Sequence, residues 1–121
     1  MPILIAFAGG AGAITRYLFD GWIQDRTDNP LPVGTFVINM SGSFVLGIIA
    51  GLAIRQSLSA NAKLIAGTGF LGGYTTFSTY AYETFRLAED RAGALAILNM
   101  IASITVGLVA AAAGLLITGG L

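Results

Sequence analysis

The sequence predicts an all-α membrane protein of four transmembrane helices, and three observations carry that prediction. Hydrophobic residues make up 55% of the 121-residue chain and charged residues 10%, whereas ordinary soluble domains carry roughly 25% charge. Mean hydropathy is +0.81. The charges and turn formers gather in three clusters, Asp25 to Pro32, Arg55 to Lys63 and Arg86 to Arg91. Between them lie apolar stretches at 3–20, 33–54, 64–84 and 93–117, near or above the roughly 20 residues a helix needs to cross a bilayer. The length suits one domain over residues 1–121, with no room for a second.

The composition also removes several functional classes. Six basic and six acidic residues cancel to a formal net charge of +0, so there is no electrostatic footprint for nucleic acid. Cysteine and histidine are absent, which excludes disulfides, thiol chemistry and nearly every zinc site. Met1-Pro2-Ile3-Leu4-Ile5-Ala6-Phe7 has no basic leader, and the first apolar stretch is therefore read as part of the mature protein.

The first span carries Gly9, Gly10, Gly12 and Ala13, then Arg16 and Asp20 four apart on one helix face. Arg16 lies near the end of the stretch. It suits either a snorkelling anchor or a charge in a water-filled vestibule.

The second span repeats small or polar residues every four positions at Asn39, Ser43, Gly47 and Gly51, and the fourth does so at Asn99, Ser103, Gly107 and Ala111. Such stripes face protein or water rather than lipid. Helix–helix packing and a polar pathway both explain them.

The third span is unusual, with Gly72-Gly73 followed by Tyr74-Thr75-Thr76-Phe77-Ser78-Thr79-Tyr80. Glycine inside a helix costs about 1 kcal/mol relative to alanine, and threonine adds a smaller penalty. A broken helix at mid-membrane is expected here. Its freed backbone groups would have to face protein, water or an ion, unless Thr and Ser hydroxyls heal a kink.

Stripes on two helices and a break in a third give more interior-type surface than one thin bundle buries, so a homodimer is expected. The loops after the first and third spans hold Arg26, Arg86 and Arg91, against Arg55, Lys63 and the terminal amine on the other side, and Arg16 near the first boundary tilts the count only slightly. So small a bias is expected to let the chain insert both ways and pair as an antiparallel, dual-topology dimer.

Gly9-Gly10-Ala11-Gly12-Ala13-Ile14-Thr15-Arg16-Tyr17, then Gly34-Thr35 with Asn39 and Gly42, then Gly72-Gly73-Tyr74-Thr75-Thr76-Phe77-Ser78-Thr79 with Glu83 resemble the signature blocks of the Fluc (CrcB) fluoride channels. The resemblance extends through all four spans. It implies an antiparallel homodimer in the cell inner membrane, with two fluoride pores and a central structural sodium ion (Na+) held by the backbone carbonyls of Gly72 and Thr75. It also implies pore-lining rings at Phe77 and Tyr80, an amide at Asn39, and a polar track through Ser103, with Thr76, Ser78 and Thr79 beside the rings. Arg16 resembles the family's vestibule arginine. Tyr80 departs from the usual phenylalanine, and Gly107 stands where some members have a serine. Glu83 resembles the late third-helix glutamate, with no partner evident.

A fluoride pathway must replace tight hydration with amide, hydroxyl and ring-edge contacts, and still release the ion. The acids lie at span ends or in loops, so no proton relay is evident. Passive, voltage-driven fluoride export follows. A small multidrug transporter would need a buried carboxylate in the first span, which has none before Asp20. A purely structural dimer leaves the Gly72–Thr79 block unexplained, and no nucleophile–base pair supports an enzyme.

Overall fold

The computed structural model describes residues 1–119, and among them it contains helices and turns but no strand. Helix α1 spans Pro2–Gln24, α2 Val33–Ile54 and α3 Ala60–Lys63. A π-helical stretch, Leu64–Leu71, leads into α4, Gly72–Tyr74. Then α5 spans Phe77–Glu89 and α6 Gly93–Ile117. Helices α1, α2 and α6 are long and apolar enough to cross a membrane. Residues 60–89 instead form a segmented third unit.

Local chemistry explains the boundaries. Pro2 opens α1 at a position where its missing N–H is not needed. The loop after α1 is folded by Asn29, whose Oδ1 accepts the Leu31 N–H at 2.9 Å. Ser59 caps α3 by accepting from the Ala62 N–H at 3.1 Å. Helices α2 and α5 stop where Gln56 and Arg91 take positive φ of 57° and 61°. In both ends the following amides return to carbonyls within the last turn, Ser57 to Leu52 and Ala92 to Leu87.

Apolar lipid offers little hydrophobic drive for helix association, so close backbone contact has to supply it. Helices α2 and α6 meet through Gly47 and Gly114. A Cβ on Gly114 would lie 2.7 Å from the Ile48 nitrogen. A Cβ on Gly47 would run into the Ala111 carbonyl. Helix α1 packs on the third unit the same way, because side chains at Gly12 and Gly73 would strike the Phe70 and Gly9 carbonyls. Ile38, Ile49, Leu71 and Tyr74 form the small buried core, with Phe19, Leu58, Ala66 and Phe70 around it.

The glycine pair is not where the backbone leaves the helix. Gly72 is helical, with φ −60° and ψ −38°. The extended residues are Thr75, at φ −80° and ψ 160°, and Thr76, at φ −150° and ψ 118°. Close approach to α1, rather than a break at the pair itself, accounts for Gly73.

Candidate functional site

In a continuous helix the Thr76 N–H would close onto the Gly72 carbonyl, and the Thr79 N–H onto the Thr75 carbonyl. Neither bond forms. The Thr76 N–H donates to Asn39 Oδ1 at 2.9 Å, and Asn39 Nδ2 donates back to the Thr76 carbonyl at 3.0 Å. The Thr79 N–H donates to Thr76 Oγ1 at 3.2 Å, an N-cap on α5. Two side chains, Asn39 and Thr76, thus take the amides that would have engaged Gly72 and Thr75.

The flanking groups fix the turn further. Thr75 Oγ1 donates to the Leu71 carbonyl at 2.9 Å. Arg16 Nε donates to the Gly73 carbonyl at 3.3 Å. Arg16 therefore reaches from α1 to the backbone of the turn.

Downstream, Phe77 and Tyr80 lie one turn apart on α5, with ring centroids 5.7 Å apart and planes tilted by 54°. Phe77 is 78% exposed in the single chain. The Tyr80 hydroxyl donates to the Met100 carbonyl of α6 at 3.3 Å. Thr76 Oγ1 and Ser78 Oγ lie 3.4 Å apart.

Asn39, Thr75, Thr76, Phe77, Tyr80 and Ser103 line one open cleft of about 1040 Å³, between α2, the third unit and α6. Gly72 also borders it. Arg16, Ser78 and Thr79 do not. Of the residues singled out in the sequence, seven therefore share one space, Arg16 approaches its backbone from behind, and Ser78 and Thr79 sit at the start of α5.

Two polar pairs were not apparent from spacing. Glu83 Oε1 accepts from Thr35 Oγ1 at 2.5 Å, and Thr35 is buried. Asn99, also buried, donates through Nδ2 to Thr84 Oγ1 at 2.8 Å. Both join α5 to a neighbouring helix. Asn99 belongs to the polar stripe of the fourth span, and Thr35 and Glu83 to the blocks that resemble the Fluc family, but nothing local in the sequence joins them to these partners. Among the described residues no group of three or more His, Cys, Asp or Glu is placed to hold a metal ion.

Three long apolar helices, close-packed through glycine, define a multi-pass membrane protein. The family model described as "CrcB-like protein, Camphor Resistance (CrcB)" matches residues 3–115. Similar curated proteins include the fluoride-specific ion channel FluC 1 of Leifsonia xyli subsp. xyli, 44% identical over 117 residues covering 97% of this chain and 85% of the relative. FluC 1 of Streptomyces avermitilis is 46% identical, with 94% and 93% covered. FluC 2 of Moorella thermoacetica is 41% identical, with 98% and 97% covered. The chain belongs to the CrcB family.

Proposed function

We propose that this protein is a fluoride-specific channel, not an enzyme, that lets the membrane voltage drive fluoride out of the cell. The observation that carries the reading is the cleft in which an amide, hydroxyls and two aromatic rings converge on a turn with two disengaged carbonyls. The names of the relatives, fluoride-specific ion channels, support the choice of ion.

In this reading residues 64–84 cross the membrane as a third span that is broken at mid-membrane by Thr75 and Thr76. Such irregular backbone is tolerated at depth only where it faces protein, water or an ion. Two chains pair antiparallel in the cell inner membrane, enclosing two pores. The open cleft and the exposed Phe77 ring are surfaces that a second copy would complete. Along each pore, fluoride exchanges water for the ring edges of Phe77 and Tyr80, whose rims are electropositive. Asn39, Thr76, Ser78, Thr79 and Ser103 supply amide and hydroxyl donors, and Arg16 draws anions toward the mouth.

The carbonyls of Gly72 and Thr75 fit a structural sodium ion at the dimer centre, because a hard cation takes neutral oxygen ligands and these two lack helical amides. When bound, sodium supplies a fixed positive charge. The chain's part would be to keep the Thr76 and Thr79 amides off these carbonyls, through Asn39 and the Thr76 hydroxyl.

Fluoride efflux from proteoliposomes, with valinomycin and a potassium gradient, tests the function in paired fluoride and chloride runs. Rapid voltage-driven fluoride release without matching chloride release is expected. Folded, sodium-supplied dimers that release neither ion, or both equally, would refute it.

A further inference from the structure

We infer that Asn39 is a positioning residue for the cation site, acting through the Thr76 peptide rather than only as a donor to the permeating ion. The inference rests on the sodium reading above. Its basis is the reciprocal pair between the Asn39 amide and the Thr76 peptide, at 2.9 and 3.0 Å. Asn39 Oδ1 takes the one backbone N–H that would otherwise close onto Gly72 and return its carbonyl to a helix. Asn39 Nδ2 holds the Thr76 carbonyl, which leaves its second N–H free to face the cleft. One side chain on α2 thereby links the pore lining to the ligand set of the third unit.

Asn39 is the only side chain that bonds the Thr76 peptide among the described residues. Arg16 holds the neighbouring Gly73 carbonyl from α1 but does not touch the amide in question. If Asn39 is removed, the Thr76 N–H is left without its acceptor, and the nearest backbone solution is to resume the helical bond to Gly72. The cation site would then lose a free oxygen although neither of its ligands had changed.

The test pairs Asn39→Leu, which keeps the number of side-chain heavy atoms but removes both polar ones, with Asn99→Leu, the same change at a buried asparagine that bonds Thr84 rather than the turn. Two sodium titrations are read, one by the thermal unfolding midpoint of the purified dimer and one by fluoride efflux. Asn39→Leu is expected to raise the half-maximal sodium concentration about tenfold in both, the scale of one lost hydrogen bond. Asn99→Leu removes a buried hydrogen bond of similar size without touching the Thr76 peptide, and is expected to lower the unfolding midpoint while leaving the half-maximal sodium concentration native.

Asn39→Ser, shorter and unable to reach Thr76, supplies the same lesion with a different volume and is expected to shift the titrations alike. A native sodium requirement in both Asn39 variants, or an equal shift in Asn99→Leu, overturns the inference. A native protein that passes fluoride but shows no sodium response overturns it together with the sodium reading, while leaving the channel intact.

Discussion

At the scale of single residues, the side chains in the cleft differ in how much of their hydrogen-bonding capacity is already used. Asn39 engages both amide atoms, and Thr76 serves as a cap. Tyr80 is more loosely held: its hydroxyl donates to the Met100 carbonyl at 3.3 Å, long for an O–H donor, whose bonds cluster near 2.7–2.8 Å. Met100 lies inside α6, where the carbonyl has a helical partner of its own. Losing so weak a bond costs well under 1 kcal/mol. Tyr80→Phe is therefore expected to keep fluoride efflux within about threefold of the native rate, with an unchanged unfolding midpoint. A tenfold loss of efflux would mean that the hydroxyl contacts the ion.

Helices and their contacts depend on which glycines touch backbone. A Cβ on Gly47 would lie 3.0 Å from the Ala111 carbonyl carbon, in addition to its clash with the oxygen. Such overpacking costs about 1–3 kcal/mol. Gly107, on the same stripe of α6, is different. The nearest atoms to a Cβ there are Met40 Cε at 3.5 Å and Ser43 Oγ at 3.8 Å, both ordinary contact distances. Gly107→Ser is thus expected to fold normally and to add a hydroxyl within reach of Ser43, whereas Gly47→Ala is expected to lower the unfolding midpoint. Thermal unfolding in detergent compares the two, and equal losses would refute the distinction.

Spacing alone displayed the stripes but could not separate these two glycines, because the difference lies in what the partner helix presents. The same limit applies to the turn. Low helix propensity at Gly72 to Thr79 marks the region, yet the residues that leave the helix are Thr75 and Thr76. Their conformation is stabilised by Asn39, 37 positions from Thr76. The Thr35–Glu83 bond joins residues 48 apart. The apolar spans were legible because hydropathy is local; these pairings depend on how the helices pack, which no local period records. The π-helical stretch Leu64–Leu71 likewise has no marker in the sequence beyond its glycines.

For the whole molecule, the proposed antiparallel dimer turns on how the chain enters the membrane. Arg26, Arg86 and Arg91, with Arg16 near the first boundary adding slightly to their side, oppose Arg55, Lys63 and the terminal amine, and orientation follows the excess of Lys and Arg in short loops. With so even a balance, the two insertions are expected to be about equally populated. The absence of native cysteine makes a direct measurement clean, since one introduced thiol is then the only target. Ser57 is exposed between α2 and α3, so Ser57→Cys leaves the charge balance untouched. A membrane-impermeant maleimide added to intact cells is expected to label about half of the molecules, with the rest reacting after permeabilisation. Replacing Asp28 and Asn29 with arginine, in the loop on the opposite side, is expected to drive the population to one orientation and abolish fluoride efflux. Co-expression with a variant carrying extra arginines at Ser57 and Ser59 should restore it, because oppositely biased chains can still form antiparallel pairs. Labelling of all or none of the unbiased molecules would refute dual insertion, and undiminished efflux from the biased protein alone would show that opposed chains are not required.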